Sequence, residues 1–359
     1  MLKKGFPILP LVSYEDITNN DIIIISQMDD SAAILQSHCN CPVLVYEDCI
    51  QTVFSNAIRE VEQYYDFYYL KNAIAAAKQP STTSIITGSS YGLFGIDESI
   101  LSHEVNCSLS SQDLYYSSKL IYDICQANNN IRNIVICCSY YYFFSDLSKT
   151  KTPGEITRIS NVYQPLFNDL HNCTFLPPKQ CVLYNSNIFD IKNVAEIYAL
   201  GEYSKHYFNE QRPRKQFAMK YEPDTSRSWH ELTESQKTEF GESRAKAHNK
   251  NLQREFSLAE NKQIFEKLAQ YCFEKNINLV IVVTPATHYY RSAFDAHFKN
   301  IFYDTLNSLK YPVHLLDLFD SVSYVAEDYN DTDHLSDTGA IKMTKAVLEL
   351  LHIINKASI

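Results

Sequence analysis

Two short stretches of this sequence combine residue types that can do chemistry together. Thr87-Gly88-Ser89-Ser90-Tyr91-Gly92 lies where an apolar strand should end and a helix should begin. A serine on a tight turn there stands beside the free N–H groups of a helix N-terminus, which favour developing negative charge. That setting suits a nucleophile, although a plain Gly-Ser turn that caps a helix has the same appearance. The second stretch, Asp331-Thr-Asp333-His334-Leu-Ser336, precedes the last helical segment. A serine hydroxyl is a weak nucleophile until a base accepts its proton, and an imidazole titrates in the right range. An aspartate three residues before the histidine can fold back within a loop and fix its tautomer. An exposed helix cap could carry the same letters. The placement, after a core strand and before the C-terminal helix, points to chemistry instead.

These groups need a frame to hold them. Residues 21–26 (DIIIIS) and 42–46 (PVLVY) read as strands around a short helix at 29–38. This β-α-β unit lacks the Gly-rich loop that dinucleotide binding requires. A helical stretch at about 50–78 follows, and Pro80 breaks it. Strands are then expected at 84–87, 105–109, 134–139, 279–283 and 313–318. Helices are expected over 112–126, capped by Ser110 or Ser111, from the capping-box pattern Ser257-Leu-Ala-Glu260 onward, and over 337–354. Strands alternating with helices imply a mainly parallel sheet covered on both faces, a three-layer α/β/α sandwich. The polar, charged stretch at about 145–255 reads as an insertion of helices and loops. The expected division is 1–80, the β-α-β unit with a helical linker, and 81–359, the α/β/α domain with its insertion.

Composition narrows the function classes. The chain has 359 residues, 45% of them hydrophobic, so it can bury a large core. Acidic residues outnumber basic ones, 42 to 32, which argues against nucleic-acid backbones as the main partner. No apolar run reaches transmembrane length, and the N-terminal residues lack the apolar core of a signal peptide. Ten cysteines without an export signal read as reduced thiols in the cytoplasm. Cys39 and Cys41 have no matching second pair, so no structural metal is expected. Only eight residues are glycine, and Gly88, Gly92 and Gly95 fall within eight positions of one another. A chain so sparing of glycine marks that turn as one where the backbone must bend sharply or approach something closely.

Taken together, the GSS turn and the D-x-x-H loop resemble the first and last blocks of the SGNH (GDSL-like) hydrolase and acyltransferase superfamily. The resemblance covers about 81–144 and 256–359 and implies an SGNH/flavodoxin-like sandwich. It assigns Ser90 as nucleophile, with Ser89 where that family usually has aspartate, and His334 and Asp331 as its partners. The family's second block corresponds to Asn106–Gln112, with Ser111 in the place of a glycine whose N–H joins that of Ser90 in the oxyanion hole. Its third block, Gly-x-Asn-Asp, is replaced by Ser139-Tyr-Tyr-Tyr-Phe-Phe-Ser-Asp146. The missing asparagine donor leaves Tyr141, Gln112 or a backbone N–H to stand in.

The divergent blocks look most similar to branches that acylate bacterial surface polymers. What this implies is an O-acetyltransferase with no bound cofactor, acetyl-CoA as a possible soluble acyl donor and a carbohydrate acceptor. A carbohydrate esterase of the same fold, or a non-catalytic binding or scaffold protein, are the alternatives. His288, after the 279–283 strand, should stand on the rim and could touch substrate. His248-Asn249-Lys250 could meet an acidic or phosphorylated substrate, although a solvated helix face explains it as well.

Overall fold

A computed structural model describes residues 23–25, 37, 40–45, 48, 66–177 and 229–357. The chain divides into two compact units, Met1–Glu62 with Cys181–Asn209 and Gln63–Gln180 with Glu210–Ile359. In the smaller unit, β1 (Ile23–Ile25) pairs in parallel with β2 (Val43–Val45), as the β-α-β reading requires. Most of the expected 29–38 helix, Cys39, and the first part of the 50–78 helix lie outside the described residues.

The larger unit is an α/β fold with a five-stranded parallel sheet flanked by helices. Its elements begin with α1 (Asp66–Ala77), β3 (Ser84–Gly88), α2 (Ser90–Gly95), β4 (Glu104–Asn106), α3 (Leu114–Ala127) and β5 (Asn133–Cys138). A 3-10 turn over Tyr140–Phe144 leads to α4 (Pro153–Arg158), which continues through a π-helical turn at Ile159–Tyr163. Then come α5 (Glu234–Asn249), α6 (Glu255–Glu274), β6 (Asn278–Val283), α7 (His288–Arg291), α8 (Ala296–Asn307), β7 (His314–Asp317) and α9 (Asp337–Ala357). The strand order is β4-β3-β5-β6-β7, every pair parallel. Successive connections leave β3 in opposite directions, toward β4 and then toward β5. The crevice at the carboxyl ends of β3 and β5 is therefore the topological switch point, where such sheets bind ligands.

The central strands bury both faces, so period-2 alternation sorts their residues into two cores. Ile85, Ile134, Ile136, Cys138, Leu279 and Ile281 pack with α1, α3, α6 and α8. Ile86, Val135, Cys137, Val280 and Val282 pack with Met343, Val347 and Leu351 of α9. Tyr69, Leu70 and Ala73 of α1 are fully buried in the first core. The helix expected as part of an N-terminal linker is thus one of the helices covering the sheet.

Two expected helix starts differ from the structure. Helix α3 is capped by Asp113, whose carboxylate accepts the Tyr116 N–H, rather than by Ser110 or Ser111. The Ser257–Glu260 capping box does not form, because a 3-10 turn over Lys250–Gln253 feeds straight into α6 at Glu255 and leaves Ser257 buried inside the helix. A true capping box opens α5 instead, between Thr233 and Gln236. Among the described residues, no helix is long and apolar enough to cross a membrane, and the described cysteines are free thiols.

Gly88 ends β3 with φ +132°, and a Cβ there would lie 2.0 Å from the Cys137 carbonyl oxygen. Only glycine lets β3 turn while β5 runs this close beside it. Gly339, in the first turn of α9, likewise leaves no room for a Cβ, which would meet the Asp328 carbonyl at 2.1 Å. That contact keeps the loop bearing His334 flat against its helix.

Candidate active site

Ser90 is the first residue of α2, and Ser89 caps that helix by accepting the Tyr91 N–H. On the facing side, Asp331 builds its own loop: its Oδ1 accepts the backbone N–H groups of Asp333 and His334, each at 2.9 Å. This local bonding is what brings an aspartate back onto a histidine three residues later. Asp331 Oδ2 lies 2.8 Å from His334 Nδ1, and His334 Nε2 lies 2.9 Å from Ser90 Oγ. A carboxylate only accepts, so Nδ1 carries the hydrogen and Nε2 is left to take the serine proton. The structure joins the three predicted residues in one hydrogen-bonded chain. The arrangement can move a proton from Ser90 to His334 while Asp331 steadies the imidazolium.

The imidazole is enclosed by the rings of Phe94 and Tyr91, with centroids at 5.0 and 5.5 Å. Burial pulls its pKa down, but the Asp331 and Asp333 carboxylates outweigh burial and hold it above the ordinary histidine value. Asp333, the second aspartate of the D-x-D-H stretch, has a role that its sequence position did not indicate. It is almost fully buried, accepts hydrogen bonds from Tyr91 Oη at 2.7 Å and Arg244 Nε at 3.1 Å, and has its Oδ1 3.9 Å from His334 Nδ1. Burial would raise its pKa. The Arg244 guanidinium reverses that and keeps Asp333 ionised well below the usual carboxylate range. Arg244 comes from α5 in the insertion, where the only warning in the sequence was the Thr-x-x-Gln cap that starts the helix.

Ser90 opens into a cavity of ≈ 280 Å³ whose lining includes Ser111, Tyr141, Arg244, His248 and Arg254. Ser111 has φ +59°, the left-handed region that glycine prefers. Among the described residues no acceptor takes the N–H of Ser90 or Ser111. Tyr141 also lines the cavity and donates to Tyr91 Oη at 3.1 Å, extending the chain that ends on Asp333. A second, more apolar hollow of ≈ 420 Å³ lies on the imidazole side, walled by Trp229, Leu232, Phe240 and Arg244.

Other expected contacts fare differently. Gln112 borders the cavity, but its amide is spent internally on Thr87, Cys107 and Ser117 and accepts from Tyr163. It braces β3 against α3 and has no N–H left to donate to an oxyanion. His288 is exposed, stacks on Tyr289 and lines neither hollow, because its side chain stands at the start of α7 on the outer surface. His248 is no solvated helix face: burial drives its pKa down to about 3, and its Nδ1 sits 2.6 Å from Tyr290 Oη.

No protein-family model and no curated protein matches the sequence. Among solved structures, one described as "a putative platelet activating factor from Streptococcus pneumonia" aligns with a TM-score of 0.38 and 9% identity. The alignment covers 85% of this chain and 99% of that one.

Proposed function

We propose that the protein is a serine-dependent acyl-transfer enzyme of the SGNH (GDSL-like) type, an O-acetyltransferase acting on a carbohydrate. The observation that carries this reading is the unbroken chain from Ser90 Oγ through the His334 ring to Asp331. Ser90 Oγ attacks the acyl carbonyl as its proton passes to His334 Nε2. The N–H groups of Ser90 and Ser111 meet the oxyanion. His334 then protonates the departing thiolate or alkoxide, leaving the acyl group on Ser90. A sugar hydroxyl, deprotonated by the same nitrogen, takes that acyl group and regenerates the serine.

The site's asymmetry supports a place for each partner. The alcohol must approach on the imidazole side, where Trp229 and Phe240 offer aromatic surface suited to a sugar face. The acyl group occupies the polar cavity at Ser90 and Ser111. Tyr141 stands two residues after Ser139, where the family's third block has its asparagine. It replaces that donor by turning its phenol from Tyr91 toward the oxyanion; a site lacking such a donor would lose about 10²–10³ in rate. Free thiols accord with a reducing compartment and hence with a soluble donor such as acetyl-CoA.

An active-site-directed fluorophosphonate should label the folded protein at Ser90, and absence of labelling overturns the reading. CoA release from acetyl-CoA that depends on an added glycan identifies a transferase, whereas steady ester hydrolysis without an acceptor identifies an esterase. A non-catalytic scaffold would show neither.

A further inference from the structure

We propose that Asp113, Asp146 and His171, with Glu260 at their edge, form a binding site for one divalent first-row cation, zinc foremost. The cation would tie the 146–172 segment to helices α3 and α6. This inference is independent of the acyl-transfer reading.

The four side chains come from separate parts of the fold. Asp113 caps α3, Asp146 follows the aromatic 3-10 turn after β5, His171 lies 25 residues beyond Asp146, and Glu260 is on α6. One donor atom from each of Asp113, Asp146 and His171 lies within 4.8 Å of the others. His171 Nδ1 is 3.5 Å from Asp146 Oδ1, about the edge of a tetrahedron with bonds of ~2.1 Å. The side chains of His171 and Asp146 are 5% and 2% exposed, and Glu260, at 30%, forms the solvent edge of the cluster.

His171 Nδ1 is buried and has no hydrogen-bond partner. The other ring nitrogen, Nε2, lies 3.3 Å from Glu260 Oε1 and 3.1 Å from Asn172 Nδ2, which is itself shared with both neighbouring carboxylates. With the ring hydrogen on Nε2, as a carboxylate neighbour favours, Nδ1 turns a lone pair toward Asp113 and Asp146. Acceptors facing acceptors in a buried space repel one another unless a cation lies between them. Among the described residues, no lysine or arginine forms an ion pair with Asp113, Asp146 or Glu260.

The surroundings already hold each ligand in place. Asn172 Nδ2 donates to Glu260 Oε2 at 2.8 Å and to Asp146 Oδ2 at 3.3 Å. Tyr115 stacks on the His171 ring at 3.7 Å, and Asp169 accepts the His171 backbone N–H at 2.8 Å. Asp113 is fixed by the N–H groups of Tyr116 and Leu147. A histidine whose second nitrogen meets a carboxylate, beside carboxylates held by backbone donors, is the arrangement that orients metal ligands. Imidazole with carboxylate oxygens suits zinc, with manganese the next candidate.

The test uses the full chain, stripped with chelator and titrated with Zn²⁺ by calorimetry, with bound metal counted by mass spectrometry. The expected result is one zinc per chain, with affinity at least about tenfold weaker in His171→Gln and unchanged in Asp331→Asn, which alters the other Asp-His cluster. Zinc should raise Tm by a few degrees in the wild type and in Asp331→Asn, but not in His171→Gln. Wild-type protein that takes up no stoichiometric zinc holds a plain imidazolium–carboxylate pair, and the proposal fails. It fails equally if binding is lost in Asp331→Asn and kept in His171→Gln. Should His171→Gln not fold, X-ray absorption on zinc-loaded His334→Gln decides. A shell with one imidazole nitrogen and carboxylate oxygens at ~2.0–2.2 Å supports the site, and an oxygen-only shell overturns it.

Discussion

Two places in the larger unit set a histidine between two aspartates, and their neighbours differ. At the carboxyl end of the sheet, Asp331 and Asp333 flank His334, Arg244 neutralises the buried Asp333, and Ser90 meets the free ring nitrogen. On the insertion side, Asp113 and Asp146 flank His171 with no guanidinium, and the corresponding nitrogen faces carboxylates. The residue types are the same in both clusters. Beside the first imidazole a fixed counter-charge neutralises Asp333 and a hydroxyl meets Nε2, whereas among the described residues no lysine or arginine pairs with the second cluster. The function of an Asp-His cluster is thus set by the cations and hydroxyls around it more than by its own members.

The sharpest way to break the first half of that comparison is Ser90→Ala. It should cut turnover of an activated ester by at least about 10⁴-fold while leaving Tm essentially unchanged, as read by ester hydrolysis and calorimetry. Asp331→Asn should cost about 10²–10⁴-fold. It should also move the acid limb of the pH–rate profile to lower pH. A base works only when deprotonated, and Asp331 is the leading influence that holds the His334 pKa up against burial. For the same reason the wild-type limb should have its midpoint above 6.5, the ordinary histidine value; a midpoint below that would refute the carboxylates' influence.

The counter-charge itself is tested by Arg244→Met. Asp333 would then be buried without a partner, and the protein should lose about 2–4 kcal/mol in denaturant melts. Adding Asp333→Asn should recover most of that loss, since the two side chains act as a pair. Additive losses would mean that Arg244 does something other than neutralise Asp333. The smallest effect is expected for Tyr91→Phe, which removes the hydroxyl that donates to Asp333 and accepts from Tyr141 and should cost about 1–2 kcal/mol.

Much of the frame was legible in the sequence because its signals are local. The apolar runs of β3, β5 and β6 agree with the observed strands to within a residue at either end. The D-x-x-H spacing encoded its own loop through backbone bonds to Asp331. What could not be read depends on long-range packing. Nothing near Asp333 announces Arg244, which arrives from 89 residues away. The amide of Gln112 looked available but is consumed by Thr87 and Ser117, which only the folded sheet brings beside it. Ser257 had the letters of a cap, yet the preceding turn had already begun the helix.

The bond between Ser90 and His334 spans 244 residues of chain. At ~5–20 residues per second, about 10–50 s of synthesis separate the two residues. Through that interval the Ser90 hydroxyl exists without the imidazole it meets in the folded chain. The histidine is also followed by α9, whose apolar face completes the second core. The bond between Ser90 and His334 therefore forms only after the second core that backs the His334 loop can close around α9.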